Sequence, residues 1–493
     1  MKKIILIQPK VGSWEFIQDV PMVPLSLLAV ASGLVGRYEI RILDQRLDRD
    51  WAGSLKKELQ GDVLCVGITA FTGPQILYAL EASRLVKKHS SAPVIWGGIH
   101  PSILPAQTVS HEAVDFVLVG EGEISFPMFV QALEQGTPPL SVPGVWAMAG
   151  GHPRDNPREG VQPQGSPPET IQDIDALPPL PYHLVRLADY IGRDRRGRRT
   201  FAIKTSRGCP YRCTFCHQNS SYRKKWRAFG PGRVLDEMQL LAREHGVEHF
   251  QILDDNFFVD TKRTQAILSG MVERGLKTVI TINGSRVTDI LRLGEDSLKL
   301  LAAHCVELQI GLESGSQRIL DVMKKDTSLA QVMQANERLK QYRIPRYYEL
   351  VSGFPEETRE DIAETARLIL DLSQDDPDVF FAPLECLNPY PGTEVYGQAV
   401  AAGMQFPTSL EGWGKFEWSK ANLPWLDRNK QRLLESFHLF PTLISSEIKV
   451  AETGWMRFLF RLYRPFARWR VRHLFFGLPV ESLAFRLLTW IRS

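Results

Sequence analysis

Cys209, Cys213 and Cys216 stand in Thr-Ser-Arg-Gly-Cys-Pro-Tyr-Arg-Cys-Thr-Phe-Cys-His, a Cys-x3-Cys-x2-Cys array on one short stretch. Three thiolates at this spacing can hold three irons of a [4Fe-4S] cluster, and no fourth cysteine lies nearby to hold the last. An iron left open on a low-potential cluster can chelate the amino and carboxylate groups of S-adenosylmethionine and pass one electron into its sulfonium, which is radical chemistry. The alternative, a structural zinc site, needs four ligands, usually in two separated pairs. His217 makes an awkward fourth ligand, because it directly follows Cys216 and the chain would have to double back.

Such a loop needs elements to hold it. From Thr200 onward, Phe201–Thr205, His249–Leu253, Thr278–Ile282, Val306–Leu312, Tyr347–Val351 and Val379–Leu384 read as strands. Helical patterns at Val234–His245, Thr261–Glu273, Asp296–His304, Leu329–Tyr342 and Arg359–Leu372 separate them. The first third alternates likewise, with strands at Lys3–Gln8, Glu39–Asp44, Val63–Thr69, Pro93–Gly98 and Phe116–Gly120, and helices at Val23–Val35, Leu77–Lys88 and Ser125–Gln135. Alternating β and α implies a parallel, right-handed, doubly wound sheet, whose ligands bind beyond the strand C-termini. The loops there are Thr69-Ala-Phe-Thr72, Gly97-Gly-Ile-His100 and Gly120-Glu-Gly-Glu123, with glycines that let the backbone approach a ligand closely. A dinucleotide site would require Gly-x-Gly-x-x-Gly after the first strand, which is missing. Thr137 to Pro181, rich in proline, glycine and polar residues, is expected to be a surface linker.

With the cysteine loop after the first strand of the second half, residues 1 to about 410 resemble the cobalamin-dependent branch of the radical S-adenosylmethionine superfamily. Within it the anaerobic oxidative cyclase, P-methylase and hopanoid methylase group is similar. The resemblance implies an α/β protein: a Rossmann-like cobalamin-binding domain (1–136), a linker (137–195), a partial (βα)6 barrel (196–410) and a C-terminal helical region (411–493). It implies cobalamin contacts from Thr69, Thr72, Gly97, Gly98, His100, Gly120, Glu121 and Glu123, with His100 touching the corrin or its tail. Relatives that ligate cobalt from below carry Asp-x-His-x-x-Gly after the first strand, whereas this chain reads Pro9-Lys-Val-Gly-Ser-Trp-Glu-Phe. Cobalamin is therefore expected with its own base displaced and no histidine on cobalt. S-adenosylmethionine contacts are implied for Asp254, Asp255 and Asn256 after the second barrel strand, Arg286 toward the cofactor carboxylate, and Glu313 and Ser314 after the fourth. The implied activity is methylation of an unactivated carbon through a 5′-deoxyadenosyl radical and methylcobalamin, with a flavodoxin or ferredoxin as electron donor. Oxidative cyclisation without methyl transfer needs the same cofactors. A methylthiotransferase would need further N-terminal cysteines, which Cys65 alone cannot supply.

The chain has 493 residues, 44% of them hydrophobic and 23% charged, enough for two or three ordinary globular domains. Six cysteines, three of them clustered, do not make a disulfide framework, so a reducing, cytoplasmic setting is expected. Cys65 and Cys305 read as core residues, and Cys386 follows the sixth barrel strand, where a thiol could face the cavity. No run of roughly eighteen apolar residues free of charge occurs. The formal charge of +3 is confined to the tail: residues 455–493 hold eight arginines and one glutamate, +7, which leaves −4 elsewhere. Trp455, Phe458, Phe460, Tyr463, Phe466, Trp469, Phe475, Phe476, Phe485 and Trp490 interleave with those arginines. This pattern fits short helices in an anionic membrane interface, at the inner face of a membrane, and would suit a hydrophobic or lipid-linked substrate. It also fits a helix packed on the barrel with solvated arginines, whereas a nucleic-acid partner is not expected.

Overall fold

The computed structural model describes residues 1–11, 20–149, 162–217, 225–416, 423–445 and 454–475. The first sheet runs β2 (Glu39–Asp44), β1 (Lys3–Gln8), β3 (Val63–Thr69), β4 (Val94–Gly97), β5 (Phe116–Leu118), β6 (Val145–Met148), β7 (Pro163–Gly165). Strands β1 to β5 are parallel. Ile4, Ile5, Leu6 and Ile7 are all buried, the continuous apolar run that a strand covered on both faces requires. Leu27, Phe126 and Phe129, from helices Leu25–Ser32 and Gly122–Gln135, fill one side. Leu55, Ile76, Leu80 and Val86, from helices Trp51–Glu58 and Gln75–His89, fill the other.

The stretch expected as a linker is partly structured. Strands β6 and β7 extend the first sheet antiparallel to β5. Val145 and Ala147 are buried while Trp146 and Met148 are half-exposed, a four-residue alternation too short to stand out among prolines and glycines. Pro163 opens the edge strand, where no ladder N–H is needed. Helix Trp51–Glu58, capped by Asp50 accepting from the Gly53 N–H at 3.2 Å, was also not expected.

The second sheet runs β16 (Val379–Cys386), β15 (Arg346–Ser352), β14 (Cys305–Glu313), β13 (Val279–Ile282), β12 (His249–Ile252), β9 (Arg199–Ile203), β8 (Gly192–Arg193). Its six main strands are parallel and in sequence order, the open half of a barrel, and β8 pairs antiparallel with β9. The five expected helices fall within three residues of the predicted bounds, and two short ones, Val287–Ile290 and Gln317–Val322, were not expected. Capping boxes at Ser328/Gln331 and Thr358/Asp361 start two of them. The outer strand β16 is covered: the Leu384 N–H donates to the His438 carbonyl at 2.8 Å, and the Phe381 N–H to Ser445 Oγ at 3.0 Å.

Two C-terminal segments dock separately. Helix Leu410–Lys415 reaches back to the first domain, where Trp413 is buried with its Nε1 donating to Gln107 Oε1 at 2.7 Å. Glu411 pairs with Arg84 at 2.5 Å, and Gly414 lies so close to helix Gln75–His89 that a Cβ would sit 2.6 Å from the Leu77 side chain. Helix Gly454–Arg472 buries Ala467 and Val471 in the barrel core, and Arg468 Nη1 donates to Ser373 Oγ at 3.1 Å. Packing on the barrel therefore accounts for one face of this helix. Phe476, Glu481, Phe485, Arg486, Trp490 and Arg492 of the tail lie outside the described residues, as do the side chains of Trp455 and Arg457.

Candidate active site between the two sheets

The first strand of the barrel delivers the cysteine loop, and the second anchors it. Asp254, buried at the end of β12, accepts from the Thr205 N–H (2.6 Å) and Oγ1 (2.6 Å) and from the Ser206 N–H (3.0 Å) and Oγ (2.6 Å). Asp255 Oδ2 accepts from the Gly208 N–H at 2.8 Å, immediately before Cys209. Asn256 Nδ2 donates to Asp289 Oδ2 at 2.6 Å, and its carbonyl accepts from Trp226 Nε1 at 3.0 Å. A Cβ on Gly284 would sit 2.1 Å from the Asp254 carbonyl, so only glycine lets the β13 loop come this close. Asp254 and Asp255, of the Asp254–Asn256 triplet expected to touch the methionine portion of the cofactor, hold the base of the cysteine loop. A buried carboxylate ringed by four protein donors has its hydrogen-bonding capacity filled.

Cys209, Cys213 and Cys216 are free thiols, with Cys213 buried and the other two partly exposed. Burial raises Cys209 above the usual thiol range, against the opposing pull of the Tyr211 N–H, Arg286 and Lys325. Among the described residues no three His, Cys, Asp or Glu side chains gather as a single-ion site. His217 is partly buried, its ring 6.4 Å from that of Tyr390. The donor chemistry fits a cluster with one open iron: three thiols on one loop, followed by no fourth.

Arg286 was expected to meet the cofactor carboxylate. Its Nη1 lies 3.1 Å from Cys213 Sγ, its Nη2 donates to the Lys325 carbonyl, and its plane stacks 3.7 Å from the Tyr211 ring centre. A fixed guanidinium against a cluster thiolate offsets negative charge where three thiolates converge. Asn283 Oδ1 and Arg286 Nε, both at the end of β13, are buried without a partner among the described residues, a pattern that suits a polar cofactor completing the hydrogen bonding.

At the end of β14, Glu313 pairs with Lys325 at 2.6 Å and holds φ at +67°, a strained value for a residue with a side chain. Ser314 Oγ lies 3.3 Å from Thr365 Oγ1 and accepts from the Ser316 N–H at 3.1 Å. Burial, reinforced by Glu313, pushes Glu349 up to about 7. An acid raised in the fold costs stability as pH climbs from its ordinary value through 7. Glu349→Gln should therefore raise Tm at pH 8 and leave it nearly unchanged at pH 5, which thermal scans at both pH values would check. Cys386 is an exposed residue, yet partial desolvation of its sulfur beside Glu357 and Glu385 pushes it up to about 11, so it is a neutral thiol at pH 7. Cys65 and Cys305 are buried and pushed up to about 12, as core thiols are.

A cavity of about 1010 Å³ lies beyond the C-terminal ends of the first sheet and extends to the barrel, where Lys204 and Arg207 border it just ahead of Cys209. It sits at the top of the ~300–1,000 Å³ range of ordinary ligand pockets, as a large flat cofactor demands. Thr69, Gly97, Gly98, Gly120, Glu121 and Glu123 line it. Gly98 takes φ +99°, and a Cβ there would sit 2.8 Å from Thr69 Oγ1. Gly98→Ala is expected to weaken cobalamin binding by at least ~10-fold, since the loop must shift or strain; spectrophotometric titration of the apoprotein with hydroxocobalamin checks this.

Thr72 and His100 do not line the cavity. His100 is fully buried, its Nδ1 3.0 Å from Thr72 Oγ1 and its ring 5.8 Å from that of Trp413. Burial lowers it to about 4, so this imidazole is neutral; it meets Thr72 at Nδ1 and packs edge-on against Trp413, outside the described cavity lining. The described cavity lining contains no histidine, and positions 12–16 of the Pro9–Phe16 stretch lie outside the described residues.

The family model described as "Radical SAM superfamily" matches residues 203–369, and that described as "B12 binding domain" matches residues 19–130; together they span more than half the chain. This chain belongs to the cobalamin-dependent radical S-adenosylmethionine enzymes. Its cofactors are accordingly a [4Fe-4S] cluster, S-adenosylmethionine and cobalamin. The radical enzyme is 28% identical over 406 residues to "Uncharacterized methyltransferase PH0819" of Pyrococcus horikoshii, covering 81% of this chain and 83% of that protein. It is 29% identical over 347 residues to the anaerobic magnesium-protoporphyrin IX monomethyl ester cyclase of Cereibacter sphaeroides, covering 69% of this chain and 53% of the cyclase, about half the cyclase's length. The cobalamin-dependent S-adenosylmethionine radical enzyme OxsB with aqua-cobalamin bound shares the fold at TM-score 0.75 and 17% identity, covering 100% of this chain and 75% of that one.

Lys204, Arg207, Arg227, Lys325 and Glu349 of this radical enzyme were not anticipated. Arg207 sits inside the cysteine motif, and its charge two residues before Cys209 was the one local signal available.

Proposed function

We propose that the enzyme methylates an unactivated carbon. When bound, the cluster and S-adenosylmethionine supply a 5′-deoxyadenosyl radical and cobalamin carries the methyl group. The observation that carries the reading is one cavity that joins the glycine loops of the first sheet to the residues just ahead of Cys209, in a chain whose relatives include a protein described as an uncharacterized methyltransferase. The chain's own residues anchor the loop (Asp254, Asp255), set a cation against a thiolate (Arg286) and border the meeting place of the two cofactors (Lys204, Arg207). A flavodoxin or ferredoxin is the class of donor that suits the one-electron demand.

The test uses anaerobically reconstituted enzyme with cobalamin, reductant, methyl-deuterated S-adenosylmethionine and a membrane lipid extract. Equal 5′-deoxyadenosine and S-adenosylhomocysteine, with deuterium in a product, is the expected result. 5′-Deoxyadenosine with neither S-adenosylhomocysteine nor label overturns methyl transfer and favours oxidative cyclisation, the second reading, which the likeness to the cyclase supports.

A hydrophobic substrate taken at a membrane surface is the finer part of this reading. Among the described residues no helix is long and apolar enough to cross a membrane. Helix Gly454–Arg472, however, leaves Phe458 (61%), Leu462 (63%), Phe466 (48%) and Trp469 (45%) exposed opposite its buried face, with Arg461 and Arg472 also exposed. Basic residues beside an apolar stripe suit an anionic lipid interface. Replacing the four apolar residues with serine should weaken cosedimentation with phosphatidylserine vesicles by at least ~10-fold; unchanged partition removes support for the surface reading.

A further inference from the structure

Glu121 and Glu123 border the cavity, yet their carboxylates face protein. Arg207 Nη1 donates to Glu121 Oε1 at 3.0 Å and its Nη2 to Glu123 Oε1 at 2.5 Å. Arg227 Nη1 donates to Glu121 Oε2 at 2.5 Å and to the Ile171 carbonyl at 2.5 Å. Each of these four side chains is about nine-tenths buried. The two glutamates belong to the first domain, on the turn that starts helix Gly122–Gln135. The two arginines belong to the second, directly opposite each other on the short antiparallel pair β10 (Ser206–Arg207) and β11 (Arg227–Ala228).

Like charges facing across a ladder repel, so this pair of strands is matched to an outside anion. Glu121 supplies it, one oxygen to each guanidinium, and Glu123 holds the remaining arm of Arg207. Buried ion pairs add little net stability because desolvation opposes their attraction, but removing one partner strands a charge, so their best-supported role is to select one geometry. Here that geometry is the separation of the two cofactor loops. Arg207 is two residues from Cys209, and Gly120, at φ +82°, is one residue from Glu121.

We propose that Arg207, Arg227, Glu121 and Glu123 form an interdomain clamp that fixes the distance and orientation of cobalamin relative to the [4Fe-4S] cluster. They are positioning residues: they set where the two cofactors meet. The proposal requires both cofactors to be bound and is independent of whether methyl transfer or cyclisation follows.

The test is pulsed dipolar EPR on full-length holoenzyme, reading the distance between the reduced cluster and cob(II)alamin, with iron content and saturating cobalamin verified in every sample. Wild type should give one narrow distribution. Glu123→Gln, which takes the negative charge out of one of the three interdomain ion pairs, and Arg207→Lys, which loses the fork, should broaden or displace it at full loading. Cobalamin affinity measured on the cluster-free protein should fall at least threefold in both. Glu123→Asp, which keeps the charge, should recover part of the wild-type distribution. If Arg207→Lys does not fold, Glu121→Asp takes its place, since it shortens the anion by one methylene and retains its charge. Distributions that match wild type in the fully loaded variants overturn the clamp, and so does lost stability with the cofactor distance unchanged.

Discussion

Cys213→Ala should yield folded protein that retains no reducible [4Fe-4S] cluster and forms 5′-deoxyadenosine at background, a loss of at least ~10³-fold, or ~4 kcal/mol of barrier lowering. Cys213 is the buried member of the triad and lies against Arg286 Nη1, so no solvent-borne ligand can substitute for its thiolate. The matched control is Cys65→Ala or Cys305→Ala, each removing a buried sulfur that sits in a strand outside the cysteine loop. Those variants should keep full iron and sulfide and lose about 1 kcal/mol from the void left behind. Iron and sulfide analysis beside 5′-deoxyadenosine assays separates the cases. A Cys213→Ala protein with a full cluster would sink the assignment of the ligand set.

Asp254→Ala should be the most damaging change outside the cysteines. It leaves two backbone N–H groups and two hydroxyls at the base of the loop without their acceptor. Unpaired buried donors cost ~1–3 kcal/mol each, and partial rescue by water leaves about 4 kcal/mol in total. Asp254→Asn should be milder, because its oxygen can keep the two backbone N–H groups while its amide N–H2 donates to the Thr205 and Ser206 hydroxyls. The check is urea unfolding of the apoprotein together with iron loading after reconstitution. An unaltered midpoint with full loading would return Asp254 to the role of cofactor contact.

The barrel was legible because each of its strands is a β-rich run cut off from the next by a strongly periodic helix, and the cysteine spacing names its own chemistry. The loops of the first sheet were legible as a group, and Thr69, Gly97, Gly98, Gly120, Glu121 and Glu123 do border the cavity. Individual roles were not. His100 looks like a ligand-facing loop histidine until Trp413, more than three hundred residues on, covers it. Glu121 and Glu123 find their partners 84 to 106 residues away, and no local pattern encodes that. Asp254 has the chemistry of a cofactor contact, but donors brought close by tertiary packing surround it, and Arg286 is held by Cys213 and the Lys325 carbonyl with its Nε left open. Strands β6 and β7 were missed because pairing with the β5 edge, and not intrinsic propensity, makes them strands.

The return of helix Leu410–Lys415 to the first domain also bears on how the chain is made. The apolar side of helix Gln75–His89 is sealed by Trp413 and by the close approach of Gly414 to Leu77. During synthesis at ~5–20 residues per second, the first domain waits roughly 12–50 s between completion of its own strands and emergence of that seal. An unsealed face held open for that long is a surface for chaperones, and a first domain produced alone should associate or aggregate unless residues 410–416 are supplied with it.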